Sequence, residues 1–222
     1  MGKLRFRQVH LDFHTSEKIE GVGDDFDPKV FAETLKEAGV DSITCFARCH
    51  HGMIYYDTDA FPNKHPHLKR NLLKEQIEAC HAVGIKVPIY ITVGWDEYIA
   101  RTHPEWLERT TEGKPYWAGP LQAGWKTFCF NTPYVDHVEK QTIDVLEKFG
   151  SDVDGLFFDI IFQNPCCCTY CMEGMEQEGF DPEVEADRQK YADKVVNQFK
   201  ERITNAVRNI TRTAPSFIMQ DI

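Results

Sequence analysis

Short apolar runs alternate with amphipathic stretches along most of the chain, regularly enough to name elements. Polar and apolar residues alternate from Arg5 to His14, which predicts a strand with His10, Asp12 and His14 on one face and Val9, Leu11 and Phe13 on the other. Asp27-Pro28 reads as a helix N-cap and first-turn proline, Phe31, Leu35 and Ala38 as the helix's apolar stripe, and Gly39 as its stop. A second strand is predicted over 41–47. A second helix runs from about Asn71 to Val83, with Gly84 behind it, and a third strand, KVPIYITV, covers 86–93. The aromatic-rich excursion 94–130 has the character of an ordered functional loop. Thr132-Pro133 opens a helix through Phe149, closed by Gly150, and GLFFDIIF at 155–162 is a fourth strand. After a cysteine-rich loop, Val195, Phe199, Ile203, Val207 and Ile210 mark a long helix, and Ser216 to Ile222 reads as a fifth strand.

Strands that are nearly all apolar need cover on both faces, so this order implies parallel strands joined by right-handed helical crossovers. An open doubly wound sheet and a barrel both satisfy it. No G-x-G-x-x-G follows the first strand and no phosphate-binding loop motif occurs anywhere. Polar residues gather instead at the C-terminal ends of four strands, where barrel enzymes keep their chemistry. The expected fold is therefore α/β, a parallel (β/α) barrel of TIM type, as one domain over 1–222. It is incomplete, with about five strands of the eight. Such a sheet leaves open edges, so self-association into a homo-oligomer, or further chain, is expected to cover them.

The formal charge, 25 − 35 = −10, comes without a basic stripe, which argues against nucleic-acid partners. No run approaches the roughly 18 apolar residues of a membrane span, and the N-terminus lacks a secretory h-region. Eight cysteines in such a chain read as reduced thiols, so a cytoplasmic protein is expected.

The candidate chemistry lies at the strand ends: Asp12 and His14 on the first, His50 and His51 on the second, Tyr90 and Trp95 on the third, Asp159 on the fourth. In a barrel these converge on one mouth. Imidazoles and carboxylates hydrogen-bond hydroxyls, and an aromatic face packs against the C–H face of a sugar ring, so a carbohydrate substrate fits and no cofactor is called for. Asp159 ends an apolar strand, where a bare charge is costly. Either it caps the next turn or pairs with a buried arginine, or it serves as nucleophile or general base. His14 and Asp12 could equally form a hydrogen-bonded pair, one of the two histidines could support its loop, and Trp95 could be packing. A competing reading is a non-catalytic fragment whose Cys166, Cys167, Cys168 and Cys171 hold zinc. Against it, a second C-x-x-C is missing and adjacent cysteines do not easily share an ion, so no metal site is assigned.

The stretches AGVDSITCFARCHHGMIYY, HPHLKRNLLKEQIEACHAVGIKVPIYITVGWDEY, HPEW and GWKTFCFNTPY closely resemble the hypothetical glycosyl hydrolase 6 domain, over roughly residues 28–165. That domain begins barrel enzymes grouped as glycosidases, some with family 151 α-L-fucosidases, others β-galactosidase-like. A looser likeness to family 29 α-L-fucosidases lies in Cys49-His50-His51-Gly52-Met53, in Leu73 to Gln76 through Tyr90, and in Val153 to Asp159. The likeness implies Asp159 as nucleophile of a retaining exo-glycosidase, with His50, His51 and the strand-one His14 on sugar hydroxyls. Gly52 stands where family 29 has an aspartate. The acid/base carboxylate has no matching position, Asp221 being the one late strand-end candidate.

Overall fold

The computed structural model describes residues 5–211 and the backbone of 219–220. Its elements are β1 (Gln8–His10), α1 (Pro28–Glu37), β2 (Ser42–Arg48), α2 (Leu72–Ala82), β3 (Pro88–Thr92), α3 (Glu97–Thr102), α4 (Tyr134–Phe149), β4 (Gly155–Asp159), α5 (Thr169–Glu178), α6 (Glu185–Thr211) and β5 (Met219–Gln220). The strands run parallel in the order β1-β2-β3-β4-β5. Four of them are three residues or longer. Of the fifth strand expected over 216–222, the described residues are Met219 and Gln220, and these two pair with β4. Asp221 lies outside the described residues.

Local signals set the helices. The Asp27 carboxylate accepts from the amides of Lys29 and Val30, and Asn71 from that of Lys74, which satisfies donors the first turns would leave orphaned. The predicted starts and stops of α1, α2 and α4 match to within two residues. Strand one is the exception. Regular pairing ends at His10, and Leu11 is 55% exposed.

Alternation along each inner strand sorts side chains to two faces. Ile43, Cys45, Ile89, Ile91, Leu156 and Phe158 join the core beneath the helices, while Phe46, Tyr90 and Phe157 form a second cluster on the other face. The sheet curls around that second cluster. The His10 ring lies 5.3 Å from the ring of Phe157, although β1 and β4 are three strands apart. In a flat sheet those strands would be roughly 14 Å apart. The architecture is a parallel α/β half-barrel, consistent with part of a TIM-type barrel. No helix among the described residues is long and apolar enough to cross a membrane.

The N-terminal end of the sheet carries stability. Asp154, just before β4, accepts from His81 Nε2 (2.6 Å) and the Val87 amide (2.8 Å) and pairs with Lys86 (2.7 Å). Burial alone would raise its pKa, but these partners outweigh burial and hold it at about 2, against the usual 3.8. A depressed carboxylate contributes stability that is complete above the unfolded pKa and disappears as pH falls through the folded one. Asp154→Asn is therefore expected to cost about 2 kcal/mol at pH 7, with the difference from the parent shrinking between pH 4 and pH 2. Urea midpoints at several pH values check this, and a difference that stays constant with pH refutes it.

Candidate active site

Asp159 is the last residue of β4, two positions beyond Phe157 and so on the concave face. Its strand ends there because Ile160 adopts φ +64°, a left-handed conformation that a β-branched side chain rarely tolerates. The turn aims the Ile160 amide back at Asp159 Oδ1 (2.9 Å), and Tyr90, on neighbouring β3, donates its hydroxyl to Oδ2 (2.6 Å). Burial and the adjacent carboxylate raise the Tyr90 pKa, so the phenol keeps its proton and stays a donor. No arginine or lysine is found against Asp159 among the described residues. The carboxylate is fixed by neutral donors.

His50 reaches the same place through a β-bulge. The pairing of β2 with β3 shifts between Phe46 and Arg48, so Arg48 lies opposite Ile91 of the helix-side core instead of continuing the concave face. There Arg48 pairs with the buried Asp96 (2.9 Å), donates to the Thr92 carbonyl (2.6 Å) and bonds His137 (2.5 Å). The chain beyond turns His50 inward. Its Nδ1 lies 2.7 Å from Thr92 Oγ1, which itself donates to the Trp95 carbonyl (3.0 Å). A hydroxyl that already donates its proton can only accept the second bond, so His50 carries hydrogen on Nδ1 and an open lone pair on Nε2. That Nε2 is 4.0 Å from Asp159 Oδ2. Burial, reinforced by His14, lowers the His50 pKa to about 3, so the ring is neutral at ordinary pH.

His14 stacks on His50, ring centroids 3.9 Å apart and nearly parallel. Its Nδ1 accepts from the His50 amide (3.2 Å), which leaves Nε2–H for Asp12 (3.3 Å). The expected His14–Asp12 pair is present, and Asp12 also takes His10 (3.1 Å), although the Asp12 side chain is 73% exposed. Burial lowers the His14 pKa more than Asp12 raises it. Trp95 meets the His50 ring edge-on at 4.8 Å. His51 packs edge-on against Trp125 at 4.8 Å, the same ring that lies 5.4 Å from His50. Gly52 permits the tight turn behind them, with φ +82° and no room for a Cβ against Asp96 and Tyr98.

Residues 27–160 match the profile of a family described as hypothetical glycosyl hydrolase 6. The chain belongs to that family. The match encloses His50, His51, Tyr90, Trp95 and Asp159, whereas Asp12 and His14 precede it. Among solved structures, alpha-L-fucosidase isoenzyme 2 from Paenibacillus thiaminolyticus is similar at 40% identity and TM-score 0.90, over 98% of this chain and 32% of the fucosidase. This glycosyl hydrolase 6 family chain thus spans about a third of the length of that relative. A hypothetical protein from Ruminiclostridium thermocellum ATCC 27405 has TM-score 0.58 at 12% identity, over 88% and 90% of the two chains. An alpha-L-fucosidase GH29 from Bacteroides thetaiotaomicron has 0.51 at 14%, over 87% and 33%. These last two speak to the fold alone. No curated protein matches the chain.

Three residues of the family chain's site escape its one-dimensional pattern. Thr92 reads as strand filler yet orients His50; Trp125 lies deep in the 94–130 excursion yet its ring centroid is 5.4 Å from that of His50. Ile160 carries its information in φ, which apolar periodicity does not encode. The cysteine loop also needs correction. Cys129, more than thirty residues upstream, takes the place given to Cys167 beside Cys166, Cys168 and Cys171.

Proposed function

We propose that this chain carries the nucleophile and sugar-binding part of a retaining glycosidase site of α-L-fucosidase type, within a TIM-type barrel. The observation that carries the reading is the facing pair of Asp159 Oδ2 and the neutral His50 Nε2, 4.0 Å apart. Both are acceptors, so the gap between them suits a group that brings hydrogens, as sugar hydroxyls do. Asp159 attacks the anomeric carbon while the glycosidic oxygen departs with a proton, and water then cleaves the glycosyl ester. Tyr90 and the Ile160 amide hold the carboxylate in one rotamer for that attack. His50 takes a ring hydroxyl at Nε2, and His14, whose Nδ1 is held by the His50 amide and whose Nε2–H goes to Asp12, stacks on His50 and keeps that ring in place. Trp95 packs on the sugar's C–H face, and His51 lines the outer rim against Trp125. The similarity to the Paenibacillus fucosidase favours fucose as the sugar. The acid/base, which a retaining reaction needs roughly 5–5.5 Å from the nucleophile, is assigned to no described residue.

The test does not depend on the acid/base. Fluoride leaves without protonation, so 2-deoxy-2-fluoro-L-fucosyl fluoride needs only the nucleophile to form an ester, and the C2 fluorine slows its breakdown. Peptide mass spectrometry is expected to find one adduct, on Asp159. Aryl α-L-fucoside is expected to turn over faster than aryl β-D-galactoside. An adduct elsewhere rejects the nucleophile, and the reverse substrate order rejects the fucosidase assignment in favour of a β-galactosidase-like one.

A further inference from the structure

We propose that Cys129, Cys166, Cys168 and Cys171 bind a single zinc ion as a tetrathiolate that clamps the end of the 94–130 excursion to the loop following β4. All four sulfurs lie within 4.8 Å of one another, with Cys129 Sγ 3.4 Å from Cys171 and 3.6 Å from Cys168. Zinc–sulfur bonds of about 2.3 Å place the corners of a tetrahedron about 3.8 Å apart, close to these separations. A disulfide would need about 2.05 Å, and all eight cysteines are free. An iron–sulfur cluster distributes its cysteines over separate irons and spreads them wider, so one ion fits better.

The backbone supports the same conclusion. Cys168 is the N-cap of α5 and Cys171 lies in its first turn, a spacing of three that puts both sulfurs on one side of the helix. Cys166 sits two residues earlier, where the Cys168 amide (3.3 Å) and the Arg109 amide (3.3 Å) both donate to its sulfur. Cys129 arrives from the other segment and accepts from the Asn131 amide (3.4 Å) and Gln163 Nε2 (3.3 Å). Four N–H groups on two sulfurs is an unusual provision for neutral thiols, which accept weakly. It suits thiolates, whose four charges exceed those of the ion by two.

Each ligand cysteine is at most 4% exposed. Cys167, the neighbour of two ligands, faces away and is the one partly exposed member of the run. Four protein ligands leave no open coordination position, so the ion is structural and takes no part in the reaction. Its place gives it a purpose. Cys166 follows Asp159 by seven residues, and the intervening loop holds the Ile160 turn.

Zinc content of the full 222-residue chain, purified under reducing conditions without chelator or metal-affinity resin, tests this. About one zinc per chain is expected, with an absorption-edge spectrum fitted by four sulfurs near 2.3 Å. Cys129→Ser is expected to reduce the content at least about tenfold and Cys167→Ser to leave it at one. The edge spectrum of the parent decides the ligand set even if Cys129→Ser fails to fold. Zinc below about a tenth per chain after growth with added zinc, stoichiometric iron instead, nitrogen or oxygen ligands, a Cys129–Cys171 disulfide, or loss of zinc from Cys167→Ser would each overturn the site.

Discussion

Asp159→Asn is expected to lower turnover of a dinitrophenyl α-L-fucoside by roughly 10³–10⁵-fold while leaving the chain folded. The substitution keeps the shape. An asparagine side-chain oxygen can still accept from the Tyr90 hydroxyl, now 2.6 Å from the carboxylate, so the rotamer and the aromatic packing beneath survive. What disappears is the charge and the electron pair that bond to the anomeric carbon. A dinitrophenolate leaves without protonation, so the loss reports the nucleophile and not the acid. Azide provides a second reading. With Asp159→Gly, a small anion can occupy the vacated space and attack from the same side, and an azide of inverted anomeric configuration is the expected product. Retention of more than about a tenth of parental turnover by Asp159→Asn would remove Asp159 from the mechanism.

Asp159 stands out in the sequence where other parts of the molecule do not, and the reason is physical. Helix ends are local: Asp27, Asn71, Gly39 and Gly84 act on backbone groups within a few residues, so their effect is readable in one dimension. Strand ends are less so. Apolar character continues through Ile160, Ile161 and Phe162, yet β4 stops at Asp159 because of a backbone turn. Helix α5 hides for a different reason, since only Cys171 and Met175 are buried and its stripe is too thin to show periodicity. In the site, residues that stand at strand ends by simple alternation, Tyr90 and Asp159, are legible. His50 needs the bulge, Thr92 its place beside His50, and Cys129 its approach to a loop far along the chain. These depend on tertiary pairing, and spacing alone cannot carry it.

The same bulge makes Arg48 the residue whose loss should most damage stability. Its side chain and that of Asp96 are wholly buried. Burial pushes the Asp96 carboxyl up and Arg48 pulls it back, so the pair survives in the core only as a pair. Arginine cannot accept, so the 2.5 Å contact has Arg48 donating to His137 Nε2; burial, with Arg48 adding to it, lowers the His137 pKa to about 2 and keeps that ring neutral. Arg48→Met fills similar volume but leaves Asp96 without its cation and the Thr92 carbonyl without its donor, at an expected cost of about 3–5 kcal/mol. Asp96→Asn alone strands the arginine and should cost a comparable amount, while an asparagine can still cap α3 at the Ile99 amide. The double variant is therefore expected to be more stable than the sum of the two losses implies, by at least about 1 kcal/mol in a urea double-mutant cycle. Additive losses would mean the two residues act independently. Because Arg48 holds the Thr92 carbonyl and Thr92 holds His50, the double variant should also remain impaired in sugar binding after its stability has partly returned, raising KM more than it lowers kcat.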